Sequence, residues 1–261
     1  MNTFFLTQEQ AYLRYFDLPG REPACVYLAG LGGAASAYYP RTVCEPDLAN
    51  RRSIIVDRLG CGYSDKPEDF SYSIDDHAAT IAALLEHLHF NACSVIGHSM
   101  GGAVAIVLAA KWPDGVAQLV LAEANLDAGG GAFSQSIAHQ LEADFVSHGY
   151  EELLQGLRLA ASSGDKSAAF FDGMLRVTNP LALHRTAVSL VQGALPAWRE
   201  QLYQLSIPRT YLFGANSLPD ADFELLPAHG VQVAVVPNAG HGMMLDNPTG
   251  FASVVGAILT K

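Results

Sequence analysis

The stretch Gly97-His98-Ser99-Met100-Gly101-Gly102 constrains this chain more than any other. Residues 94–97 before it are strand-like, and residues 103–110 after it are apolar and helix-like. A Gly-x-Ser-x-Gly pattern in that setting fits a serine on a sharp strand-to-helix turn, where small flanking residues are needed. Free N–H groups and the dipole at the start of the helix favour negative charge developing beside the serine. An idle serine on a tight turn would satisfy the pattern alone, but the strand before it and the helix after it favour a nucleophile. Ser99 is therefore the candidate nucleophile.

The rest of the chain repeats the same rhythm. Residues 4–8 and 12–17 read as a hairpin, and apolar runs at 24–29, 53–57, 93–97, 118–123, 209–214 and 231–236 suit strands. Continuous apolar runs bounded by turn residues are expected of strands buried on both faces. Between them, residues 34–50 leave room for a helix. Residues 74–89 carry Ile74, Ala78, Ile81, Leu84, Leu85 and Leu88 at helical spacing, with Ser73 and Asp75 as cap candidates. Helices are also expected at 100–111, around 221–226, and at 249–259 behind Pro248. Alternating strands and helices predict an α/β fold: a mostly parallel central sheet flanked by helices. The length of 261 residues, half of them hydrophobic, suits one large domain.

One segment departs from that alternation. Residues 128–195 contain no convincing strand but four helical patterns, at 133–148, 151–162, 167–176 and 181–192, punctuated by Gly149, Gly164 and Pro180. We expect an inserted helical cap there, entered through Gly129-Gly130-Gly131, dividing the core into residues 1–127 and 196–261.

Charge and cysteine usage narrow the function classes. Fifteen Lys and Arg against 26 Asp and Glu give a net charge of -11, which disfavours nucleic acid and anionic membranes as partners. The first ten residues show no secretory pattern, and the longest apolar run, residues 101–110, is too short to cross a bilayer. Four scattered cysteines, Cys25, Cys44, Cys61 and Cys93, suggest neither a disulfide framework nor a metal site. A cytoplasmic location is the expectation, with no cofactor; oligomeric state is not indicated.

Three further blocks, in order along the chain, give the sequence a resemblance to the α/β-hydrolases. Leu28-Ala29-Gly30-Leu31-Gly32-Gly33 follows an early strand; Asp57-Arg58-Leu59-Gly60-Cys61-Gly62-Tyr63-Ser64 resembles the family's Asp-x-x-Gly-x-Gly-x-Ser turn; Asn238-Ala239-Gly240-His241 resembles its histidine loop. The resemblance covers nearly the whole chain outside the insertion. It departs from the family in the first block, where the usual His-Gly pair is Ala29-Gly30. By this resemblance the N–H groups of Leu31 and Met100 form the oxyanion hole, and His241 is the general base. Of nine histidines, His241 alone follows the last strand, in the family's order of serine, acid, histidine. His77, His87 and His89 are expected on or beside a surface helix, and His98 is expected to face away from Ser99.

The third triad member is less direct. The family's usual acid follows the penultimate strand, where this chain reads Phe213-Gly214-Ala215-Asn216-Ser217, with serine in place of aspartate. Some members place the acid at the end of the preceding strand, and Glu123 stands there. A carboxylate at the end of a buried strand needs a partner, and a catalytic histidine is a suitable one. Glu123 is the preferred acid; otherwise Asp220 or Asp222 would reach back from the following loop. Asp57 is read as structural, and Asp246 as a helix-approach residue.

A pocket between cap and sheet is expected to hold a small, uncharged, fairly apolar substrate. Phe133, Phe145, Phe170, Phe171, Met174, Leu175 and Trp198 are its candidate wall residues, with the core of the cap as their alternative role. The expected activity is serine-dependent cleavage of an ester-like bond. The alternatives are a non-catalytic small-molecule receptor, a carbon–carbon bond hydrolase or lyase, and a cofactor-free oxygenase.

Overall fold

The computed structural model describes residues 1–90 and 92–260; Asn91 and Lys261, which fall within the two expected core segments, lie outside the described residues. Eight strands form one sheet: β1 (Asn2–Leu6), β2 (Ala11–Leu18), β3 (Arg21–Leu28), β4 (Arg51–Asp57), β5 (Cys93–His98), β6 (Val116–Ala122), β7 (Arg209–Gly214) and β8 (Gln232–Val236). Their order is β1-β2-β4-β3-β5-β6-β7-β8. β2 alone runs against the others, pairing antiparallel with β1 on one side and β4 on the other, and β3 through β8 run parallel. This is the expected mostly parallel α/β sheet. The chain reverses its direction of travel across the sheet at β3, which lies between β4 and β5, and ligands in such sheets bind at the carboxyl ends of the strands beside that point.

Helices cover both faces. Helix α1 (Ile74–His87) starts at Ser73, whose hydroxyl accepts the Asp76 N–H at 3.1 Å. Helix α2 (Met100–Lys111) is buried from Met100 to Ala109, which explains why it is apolar on every side. Each large aliphatic side chain on it is worth about 1.5–3 kcal/mol of burial. His77 points into the core rather than to the surface, because its position on α1 falls on the same face as Ile74, Ala78 and Ile81. Its Nε2 lies 3.2 Å from the Thr186 hydroxyl, and burial holds its pKa well below the usual histidine value. Residues 34–50 hold two single helical turns, Ala35–Tyr38 and Pro40–Val43, rather than one longer helix.

Between β6 and β7 the described chain has no strand. Its main helices are α3 (Ala132–Ala138), α4 (Tyr150–Ser162), α5 (Lys166–Leu175) and α6 (Pro180–Gln192). The break expected at Gly149 falls earlier, after α3. Gly149 itself is helical, closing a π-turn over Phe145–Gly149 that runs straight into α4. The nearest atom to a Cβ there is Oε1 at the movable end of the Gln140 side chain, so this glycine is an ordinary helical residue rather than a helix stop. Helix α7 (Trp198–Gln204) returns the chain to β7, α8 (Asp222–Ala228) precedes β8, and α9 (Pro248–Leu259) closes the fold. Asn247 caps α9 by accepting the Gly250 N–H at 2.9 Å.

Candidate active site

Five strand ends supply the site. At the end of β5 the backbone turns so sharply that Ser99 sits at φ 52°, ψ -123°, outside the regions most L-residues adopt. The turn is held by the Ser99 N–H on Ala122 O (2.9 Å), the Gly102 N–H on Ser99 O (2.9 Å) and the Asn125 N–H on Ser99 O (3.2 Å). The glycines are required by packing: a Cβ on Gly101 would lie 2.4 Å from Ala29 O, and one on Gly102 2.2 Å from the Ala124 Cβ. Strain of this kind persists only where the surroundings over-determine it.

Glu123 follows β6 in a second left-handed conformation, φ 41°. Its N–H donates to Leu212 O at 3.0 Å, and its side chain reaches across the end of β7. Oε2 lies 2.8 Å from His241 Nδ1, and Oε1 accepts the Gly214 N–H at 2.8 Å. Burial raises the Glu123 pKa, but hydrogen bonds from His241, the Gly214 N–H and the Ser217 hydroxyl outweigh it and hold the carboxyl below its ordinary value. Because the carboxylate only accepts, His241 carries its proton on Nδ1 and leaves Nε2 free. The imidazole is 56 % exposed and the Glu123 side chain 12 %.

Neither alternative acid meets the histidine. Asp222 is paired with Arg199 (2.8 Å), and Asp220 accepts the Asp222 N–H at 2.8 Å. The histidine loop is braced instead by Asp246, whose Oδ2 accepts the Gly240 N–H at 2.9 Å. His98 braces it too. Contrary to the expectation that it faces away, its ring lies 4.7 Å from the His241 ring and lines the same cavity as Ser99, because the last residue of β5 points to the sheet face covered by Tyr38. Its Nε2 donates to His241 O at 2.8 Å, which leaves Nδ1 to accept from the Tyr38 hydroxyl at 3.3 Å. Burial, reinforced by the neighbouring His241, pushes the His98 pKa down to about 3, so the ring is neutral at ordinary pH.

The loop after β3 is clamped by a residue that sequence reading passed over. Arg58, 1 % exposed, donates through Nη2 to Ala29 O (3.2 Å) and Gly30 O (2.8 Å), and its Nη1 approaches Met100 Sδ at 3.6 Å. Burial lowers its pKa, with Cys61, Asp57 and Tyr39 opposing. Asp57 behaves as a turn residue, accepting from the Ser36 N–H (2.9 Å), the Ser36 hydroxyl (2.7 Å) and the Tyr63 N–H (3.0 Å). Among the described residues no backbone or side-chain group accepts the Leu31 or Met100 N–H. Asn125 was also missed: the Ser99 hydroxyl donates to its Oδ1 at 3.4 Å. Its position two residues beyond Glu123 was the available signal.

Ser99, His98 and His241 share a cavity of about 100 Å³ with Gly30, Leu31, Gly33 and Tyr38 of the sheet side and Phe133, Phe171 and Met174 of the helical segment. Phe170 faces a neighbouring groove, while Phe145, Leu175 and Trp198 are core residues. Among the described residues no group of three or more His, Cys, Asp or Glu side chains is placed to hold a metal ion, and no helix is long and apolar enough to cross a membrane.

The sheet, the elbow and the histidine loop define a hydrolase of the α/β-hydrolase class. The alpha/beta hydrolase fold family model matches residues 23–210, and the chain belongs to that family. It is 29% identical over 241 residues to the 2-(acetamidomethylene)succinate hydrolase of Mesorhizobium japonicum, covering 85% of this chain and 82% of that one. It is likewise 29% identical over 273 residues to an esterase of Mycobacterium tuberculosis, covering 92% of this chain and 84% of that one. Among solved structures, an esterase from Exiguobacterium antarcticum superposes with a TM-score of 0.81 at 18% identity, over 100% of both chains.

Proposed function

We propose that this protein is a serine hydrolase that cleaves an ester-like bond of a small, fairly apolar substrate through an acyl-enzyme on Ser99. The observation that carries the reading is the Glu123–His241 contact of 2.8 Å, beside a cavity that His241 shares with a strained serine. Glu123 fixes the tautomer that exposes Nε2 and stabilises the imidazolium formed when that nitrogen takes a proton.

The reaction follows from these positions. His241 takes the Ser99 proton as Oγ attacks the carbonyl carbon, and the oxyanion accepts hydrogen bonds from the Leu31 and Met100 N–H groups. Donors aimed at a developing charge are worth about 3–4 kcal/mol of barrier each. The imidazolium returns its proton to the departing alkoxide. Water, deprotonated by the same Nε2, then attacks the acyl carbon and releases the acid and Ser99. The helical segment 128–195 acts as the cap, contributing Phe133, Phe171 and Met174 to the apolar wall. An esterase among the relatives supports this assignment of the bond type.

Labelling with a fluorophosphonate, followed by peptide mass mapping, tests the reading. The expected result is an adduct on Ser99 that disappears in His241→Ala. Absence of an adduct on folded protein would overturn it and favour a receptor or a histidine-only reaction; activity retained in Ser99→Ala would favour the latter.

A further inference from the structure

Met174 is buried at 4 % exposure, yet it lines two separate spaces. On one side is the Ser99 cavity. On the other is a groove of about 380 Å³ bounded by Ala37, Tyr63, Ala169, Phe170, Gly173 and Val177. The partition is thin: Tyr38, on the cavity side, packs its ring 5.7 Å from that of Phe170 on the groove side. The groove's side chains are apolar save the hydroxyls of Tyr63 and of Ser36, which also lines it, and none is charged. We propose that the groove is the distal half of an acyl-binding site, and that Met174 is the residue that admits an unbranched chain of medium length into it. This rests on the acyl-enzyme reading above.

Volume motivates the proposal. A cavity of about 150 Å³ takes up the six carbons of benzene, so the Ser99 cavity of about 100 Å³ holds only about four heavy atoms. An acyl group larger than propionyl, with its three carbons and one oxygen, must therefore leave the Ser99 cavity. Chemistry sets the direction. The leaving group receives its proton from His241, whose imidazole is 56 % exposed, so the alcohol lies on the open side. The acyl chain stays on Ser99 and faces the enclosed side, where Met174 stands. Methionine is unbranched and readily changes rotamer, so it can swing aside and merge the two spaces without moving α5.

The neighbouring Gly173 makes the idea separable from the chemistry. It is exposed within α5, and a Cβ there would meet nothing within 4 Å, so a larger side chain fits without strain and takes up part of the groove that Gly173 lines. Replacing this helical glycine also favours the helix. The test is kcat/KM for p-nitrophenyl acetate, butyrate and octanoate with the parent chain, Gly173→Leu and Met174→Ala. Gly173→Leu is expected to lower octanoate about tenfold more than acetate, and Met174→Ala to raise the octanoate-to-acetate ratio about tenfold. An unchanged ratio in both variants, with the parent active, overturns this inference alone. So does a Gly173→Leu effect seen only when the alcohol is lengthened at constant acetyl group. Failure of the parent to turn over any ester or to label at Ser99 removes the serine reading and this one with it.

Discussion

The ends of β6 and β7 lie side by side, yet they bring different chemistry to His241. β7 ends in Gly214 and a turn, Ala215–Ser217, that contributes a backbone N–H and the Ser217 hydroxyl. β6 ends in Glu123, which contributes the carboxylate. Neighbouring strands are about 4.8 Å apart, and the glutamate side chain spans that distance to reach the histidine from one strand over. The left-handed backbone at Glu123 turns the side chain into the site. The proposed mechanism requires an anion beside Nδ1, and Ser217 is compatible with that mechanism because the adjacent strand places the Glu123 carboxylate there.

The hardest test of that comparison removes the β6 carboxylate. Glu123→Gln keeps the shape but can donate to Nδ1, favouring the wrong tautomer. We expect kcat to fall about a thousandfold or more, with little change in KM and an intact fold by circular dichroism. Near-normal turnover would mean that the contact is structural. A sharper test moves the charge back to β7. In a Glu123→Ala background, Ser217→Asp is expected to restore about tenfold of kcat, because the new carboxylate starts from the turn that already faces Glu123. No gain over Glu123→Ala would show that the β7 turn cannot place an anion at Nδ1 in this chain.

The site was legible where it is local and obscure where it is assembled. The elbow could be read because strand, glycines and helix are contiguous, and the apolar α2 could be read because it is buried on every side. The sheet followed from alternating runs, whose pattern survives errors at the element ends. Glu123 was reachable because a charge at the end of a buried strand demands a partner, yet nothing local discriminated it from Asp220 and Asp222. That decision lay in Arg199, distant in sequence, which engages Asp222. Arg58 was invisible for the same reason, and Asn125 offered only its place beside Glu123: their partners, Gly30 O and the Ser99 hydroxyl, are brought to them by the sheet. Gly149 misled because an isolated glycine is tolerated within a helix and does not by itself end one.

The smallest expected effect concerns the hydroxyl that β7 offers in place of a carboxylate. If Ser217 donates to ionised Glu123, its contribution to stability must vanish when that carboxyl is protonated. Glu123 is held below its ordinary 4.5 in the fold, so its share of stability is complete above that pH and is lost as pH falls through the lower folded value. Ser217→Ala should therefore cost about 1 kcal/mol near neutrality and progressively less below pH 4.5. His98 destabilises the fold over an overlapping range, because a ring held at about 3 stays neutral while the unfolded ring takes up a proton below about 6.5. That loss is common to both proteins and cancels in the difference. Denaturant unfolding of the pair between pH 7 and pH 3 reads the gap directly. A gap that persists unchanged in acid would mean that Ser217 only packs the turn, and that β7 contributes to the site through the Gly214 N–H without help from the hydroxyl.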